Sequence, residues 1–80
     1  MDAGLRDLDK RLVQDLSFEQ GRIEAVERMS AGPIQDSLRI AIVSTTEGLE
    51  RDRERLLNGS RRPLRELFPR LQQYCKEHRP

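Results

Sequence analysis

Cysteine, histidine and tyrosine occur once each in this 80-residue sequence, tryptophan is absent, and aromatic residues make up only 4% of it. Each scarcity excludes something. Cys75 alone cannot close an internal disulfide, so a reducing compartment is the expectation. His78, the single histidine, has no paired Cys or acid at metal-ligand spacing, and a solvated imidazole is the simpler reading. Cys75 falls on an apolar helix face, where a structural thiol is expected rather than a nucleophile. No glycine-rich phosphate loop exists; "EGLE" around Gly48 carries one glycine and no lysine. Long apolar runs are missing too. The longest, Ile40 to Val43, is four residues, and "MDAGLRDLDKRL" has no apolar core of the kind a signal peptide needs. The expectation is a cytoplasmic chain, away from the membrane, with no catalytic residues, no cofactor and no metal.

Neither sign of charge dominates. Fifteen Lys and Arg face fourteen Asp and Glu, for a net charge of +1, so no global field draws the chain to nucleic acid or lipid. Apolar residues make up 35% and charged residues 36%, which limits the chain to one domain with a small core.

What the sequence does contain is helical periodicity. Leu5, Leu8, Leu12, Leu16, Ile23 and Val26 fall on one stripe at about 100° per residue, predicting a long amphipathic helix over 1–30. Asp7→Arg11 and Glu24→Arg28 set acids one turn ahead of arginines. Gly21 and the capping-box string "SFEQ" (Ser17 to Gln20) are candidate break points. Unbroken, the helix is a coiled-coil candidate whose stripe would contact another protein or a second copy.

Residues 31–37 read as a turn around Gly32 and Pro33. Arg39 to Ser44 then reads as a short buried strand, rich in β-branched residues and apolar on both faces. "STTE" (Ser44 to Glu47) would cap a helix directly after it. The fold class expected is therefore mostly α with one short strand, a helix–strand–helix piece of an incomplete α/β domain over 38–80. The alternative is an all-α three-helix bundle. In it, Ile34, Leu38, Ile42, Leu49 and Leu56 form the stripe of a second helix, leaving Ile40 and Val43 off it.

After an Asn58–Ser60 turn, Leu64, Leu67, Phe68, Leu71, Tyr74 and Cys75 form an amphipathic face that Pro69 must kink or restart. Arg61, Arg62 and Arg65 are a candidate basic patch within 51–65. Interleaved acids and the lack of stacking aromatics argue against nucleic acid there.

One resemblance rests on short motifs: Ile40–Ser44 ending in a hydroxyl residue, Glu50-Arg51-Asp52, then Phe68-Pro69 with Leu71 and Cys75. Over about 38–78 this resembles the N-terminal, Toll/interleukin-receptor-like α/β domain that precedes the NACHT nucleoside-triphosphatase in NACHT and WD-repeat proteins and their nephrocystin-type relatives. "NGSRRP" lengthens the usual gap between the motifs. The resemblance implies a non-catalytic interaction segment of a signalling scaffold, truncated before the NTPase. The alternative function is a free-standing helical adaptor or dimerisation module.

Overall fold

The computed structural model describes residues 3–57 and 64–79, with the backbone alone at 3, 5, 57 and 65. Helix α1 spans Ala3–Glu27 and α2 spans Pro33–Leu57; a single turn, α3 (Leu64–Leu67), precedes α4 (Pro69–His78). The described chain is all-α, a three-helix bundle in which α3 is a short prelude to the third helix.

The strand expected over 39–44 is not there. Arg39 to Ser44 lie in the middle of α2, and "STTE", expected to start a helix, sits inside one. The β-branched side chains cost only a few tenths of a kcal/mol each in a helix, and packing outweighs that. Ile42 and Thr46 are fully buried in the seam against α1, and Val43, one position round, enters the core shared with α4. Ile40 points outward, about half exposed. Val43 leaves the single stripe because α2 has two neighbours.

The seam between α1 and α2 follows alternating steps of three and four residues, the signature of coiled-coil packing. On α1 the seam positions, all buried or half-buried, are Asp9, Leu12, Leu16, Glu19, Ile23 and Val26. On α2 they are Gln35, Arg39, Ile42, Thr46, Leu49, Arg53 and Leu56. Bonds at both ends fix the antiparallel register. The Gln35 side chain reaches Val26 at one end, and Arg53 Nε donates to Asp9 Oδ1 at 2.7 Å at the other. Neither Gly21 nor "SFEQ" interrupts α1.

The turn between the helices is shorter than 31–37. Pro33 already occupies the first position of α2, where its missing N–H costs nothing, and Asp36 N–H donates to Gly32 O at 3.1 Å. Gln35, buried, closes the other side. Its Nε2 donates to the carbonyl of Val26 (3.0 Å), which also accepts from Met29 N–H at 3.1 Å, and to the carbonyl of Met29 (3.2 Å) just past the end of α1.

Pro69 acts as a restart. Phe68 leaves helical geometry (φ −139°, ψ 71°) and Pro69 opens α4. Leu71, Tyr74 and Cys75 then bury against Leu16, Ile23, Val26, Ile42 and Val43. Arg70 pairs with Glu24 and Tyr74 with Glu27 on α1, while Arg79 pairs with Glu47 on α2, so α4 lies against both arms of the hairpin. At 1.5 Å per residue α4 is roughly 15 Å long, against roughly 37 Å for each arm of the hairpin. The molecule is accordingly elongated, measuring 45 × 18 × 17 Å.

Candidate functional site

The stripe expected to meet a partner divides in two. Leu16, Ile23 and Val26 are buried in the chain's own core, so they are spent within the fold. Leu12 is half-buried beneath α2, the Leu5 side chain lies outside the described residues, and only Leu8 is largely exposed, at 47%. The seam runs through Asp9 and Glu19 instead of Leu8, which moves Leu8 to the outer side.

A second stripe takes its place. Leu8, Arg11, Asp15, Phe18, Arg22, Ala25 and Met29 repeat the three–four spacing, offset from the seam and directed away from it. Phe18 is 68% exposed at its centre; Leu8 and Met29 stand at its ends, Met29 in the turn that follows α1. Arg22 Nη1 bridges both carboxylate oxygens of Glu19 at 3.0 and 3.1 Å, compensating a carboxylate that burial would otherwise penalise. Among the described residues Asp15 makes no ion pair. The sequence signal was available: Phe18 sits among polar neighbours at the period of α1 but outside its seam.

Where three helices meet, charge is organised differently. Arg39 grips Glu27 through Nε (2.9 Å) and Nη2 (2.8 Å), and the Tyr74 phenol donates to Glu27 Oε1 at 3.1 Å. The Arg39 hydrogen bonds hold the Glu27 carboxyl below its usual value of 4.5, despite partial desolvation. Arg39 is in turn held more firmly protonated, chiefly by Glu27. Burial, then the bond to Glu27, pushes the Tyr74 phenol up. His78 packs on Tyr74 with ring centroids 4.3 Å apart. It is half-buried against an aromatic ring, where the sequence suggested a solvated imidazole.

A cleft of about 370 Å³ separates α2 from α4, with Glu47, Glu50, Leu64, Lys76 and Arg79 around it and Cys75 among its lining. Cys75 is buried, as expected, and burial pushes its thiol up from 9.0, the Thr46 hydroxyl opposing weakly. A protonated, enclosed thiol is a poor nucleophile. Thr46 Oγ1 closes no full hydrogen bond of its own. Among the described residues no three His, Cys, Asp or Glu gather as a metal-ligand set, and no helix is long and apolar enough to cross a membrane.

The motif residues scatter over unrelated roles. Ser44, Arg51 and Asp52 are exposed on α2, Glu50 and Phe68 are half-buried, Pro69 is exposed at the start of α4, and Leu71 and Cys75 are core. Arg61, Arg62 and the Arg65 side chain lie outside the described residues. The expected Glu24→Arg28 pair is redistributed: Glu24 meets Arg70 across a helix interface, and Glu47 meets Arg79 across another. Comparison of the chain with family models, with curated proteins and with solved structures returned no match.

Proposed function

We propose that this chain is a non-catalytic helical association module, which binds protein through the outer stripe of α1. The observation that carries this reading is Phe18, two-thirds exposed at the centre of a stripe ending in Leu8 and Met29, while the core behind it is already closed. Scattered single apolar residues need no explanation, but Leu8, Phe18 and Met29, ten and eleven residues apart, return to one face and form a line a helix can seat on. The chemistry elsewhere supports the same class: the thiol is enclosed, and the Glu27, Arg39 and Tyr74 cluster satisfies itself. The scaffold role implied by the NACHT and WD-repeat resemblance belongs to this class too. Its leading strand is α2 here, so the reading rests on α1 and not on that resemblance.

Chemical cross-linking of the chain in cells, followed by mass spectrometry, tests the reading. Protein cross-links should concentrate on Lys10 and the α1 face and should disappear in Phe18→Asp, with helicity unchanged. Identical cross-links in wild type and variant would end it.

A further inference from the structure

We propose that the outer stripe of α1 docks on the same stripe of a second copy of this chain, the two helices running antiparallel about a two-fold axis at Phe18. The inference rests on the association reading and names its partner. The stripe is chemically self-complementary when reversed about its centre. Reversed about Phe18, Leu8 comes within one residue of Met29, apolar beside apolar; Asp15 comes within one residue of Arg22, acid beside base; and Phe18 meets itself. Arg11 falls opposite Ala25, a small residue that leaves room for the longer side chain. A symmetric pair demands this kind of self-match, since each contact occurs twice.

The charges choose the direction. In a parallel pair Asp15 would face Asp15 and Arg22 would face Arg22, both repulsive; the antiparallel pair turns both into opposite-charge contacts. The groups are ready to make them. Asp15 is exposed and, among the described residues, has no ion-pair partner, and Arg22 engages Glu19 through Nη1 alone, leaving Nε and Nη2 to donate. The apolar anchors are those most exposed on α1: Phe18 at 68%, Leu8 at 47%. From Leu8 to Met29 the contact would run roughly 32 Å at 1.5 Å per residue, the length of a stable short coiled coil.

Sedimentation equilibrium on the full chain at high micromolar concentration reads the state. Wild type should be dimeric, Phe18→Asp monomeric with unchanged far-ultraviolet dichroism, and Asp15→Arg weaker by about tenfold, equivalent to about 1.4 kcal/mol. Orientation is read by oxidative cross-linking. The double variant Arg11→Cys with Ala25→Cys should form a disulfide dimer, because residues 11 and 25 of one chain are roughly 21 Å apart and cannot join each other. Either single variant should stay uncross-linked. A monomeric wild type, a dimer indifferent to Phe18→Asp, or single variants that cross-link as readily as the double one would each overturn the proposal. A monomer whose cellular cross-links to a different protein still depend on Phe18 overturns the dimer and leaves the association reading standing.

Discussion

Tyr74 donates its phenolic hydrogen to Glu27 Oε1 at 3.1 Å, the same oxygen that accepts from Arg39 Nε at 2.9 Å. One carboxylate thus joins α1, α2 and α4, and the three helices have no other shared polar contact of this kind among the described residues. Tyr74→Phe keeps the ring in the core and removes only that bond. A hydrogen bond to a charged group contributes about 1.5 kcal/mol, so thermal unfolding followed by circular dichroism should show a midpoint lower by roughly 6–12 °C. An unchanged midpoint would mean that water replaces the phenol at no cost.

The same cluster predicts an acid limit. Glu27 is held below its ordinary value of 4.5 by Arg39, so its folded-state proton affinity is lower than in the unfolded chain. The unfolded state therefore binds the proton first, and the stabilisation, complete above pH 4.5, is lost as pH falls through the folded value. Urea titrations between pH 6 and pH 3 should show stability declining below 4.5. Glu27→Gln should start lower and decline less steeply; parallel curves for the two proteins would refute the assignment.

At the opposite end, Arg53 is 2% exposed in the seam and donates to Asp9 at 2.7 Å, with Glu50 3.6 Å away. Asp9→Leu alone takes a carboxylate from a buried guanidinium and should cost about 3 kcal/mol. Asp9→Leu combined with Arg53→Leu removes both charges and should recover most of that loss or exceed wild type. The pair also fixes the register of α1 on α2, so the double variant should show broadened amide resonances or mixed oligomers. Chemical denaturation and an amide correlation spectrum of the three proteins decide both points.

Gln35 serves the turn. Truncating it as Gln35→Ala takes the side-chain donor from the carbonyls of Met29 and of Val26, which keeps only the Met29 N–H, and opens a small void, at a cost of about 1–2 kcal/mol. Amide exchange should accelerate first at residues 28–36. Loss spread evenly over the chain would place the effect in global stability rather than in the turn.

Cys75 reports the seating of α4. It is buried with its thiol pushed up by burial, so alkylation by iodoacetamide should be slow in the native chain and fast in denaturant. Leu71→Ala, a fully buried site beside it, should destabilise by about 2–5 kcal/mol and raise the native labelling rate in proportion to the opening it permits. Native-state labelling as fast in wild type as in Leu71→Ala would contradict the packing.

The two ends of the chain were legible in the sequence because apolar residues carry their periods: Leu12, Leu16, Ile23 and Val26 on α1, Leu71, Tyr74 and Cys75 on α4, with the Pro69 restart. The middle was not. In α2 the seam positions include Gln35, Arg39, Thr46 and Arg53, all polar, and each hides a beat of the helical repeat. What remains visible is the β-branched cluster from Ile40 to Thr46, which reads as strand when the partners that bury it are unknown. The outer stripe was obscured for the converse reason. Leu8 reads as part of one partner-facing stripe with Leu12, Leu16, Ile23 and Val26 because Asp9 and Glu19, which hold the seam, are charged, and only their pairing with Arg53 and Arg22 offsets their burial.

The third helix meets α1 between Leu16 and Glu27 and α2 as far as Glu47, which leaves the end of the hairpin away from the turn outside its clasp. Local unfolding should therefore be graded along the rod. Amides around Ile23 and Ile42 open only with the whole molecule, and those around Leu8 and Leu56 open by fraying the hairpin alone. A body seated along α1 reaches past the clasp into the fraying half. By mass action it would tighten that half in proportion to its own occupancy. Association and the completion of folding would then be one equilibrium, and the melting temperature would itself report concentration.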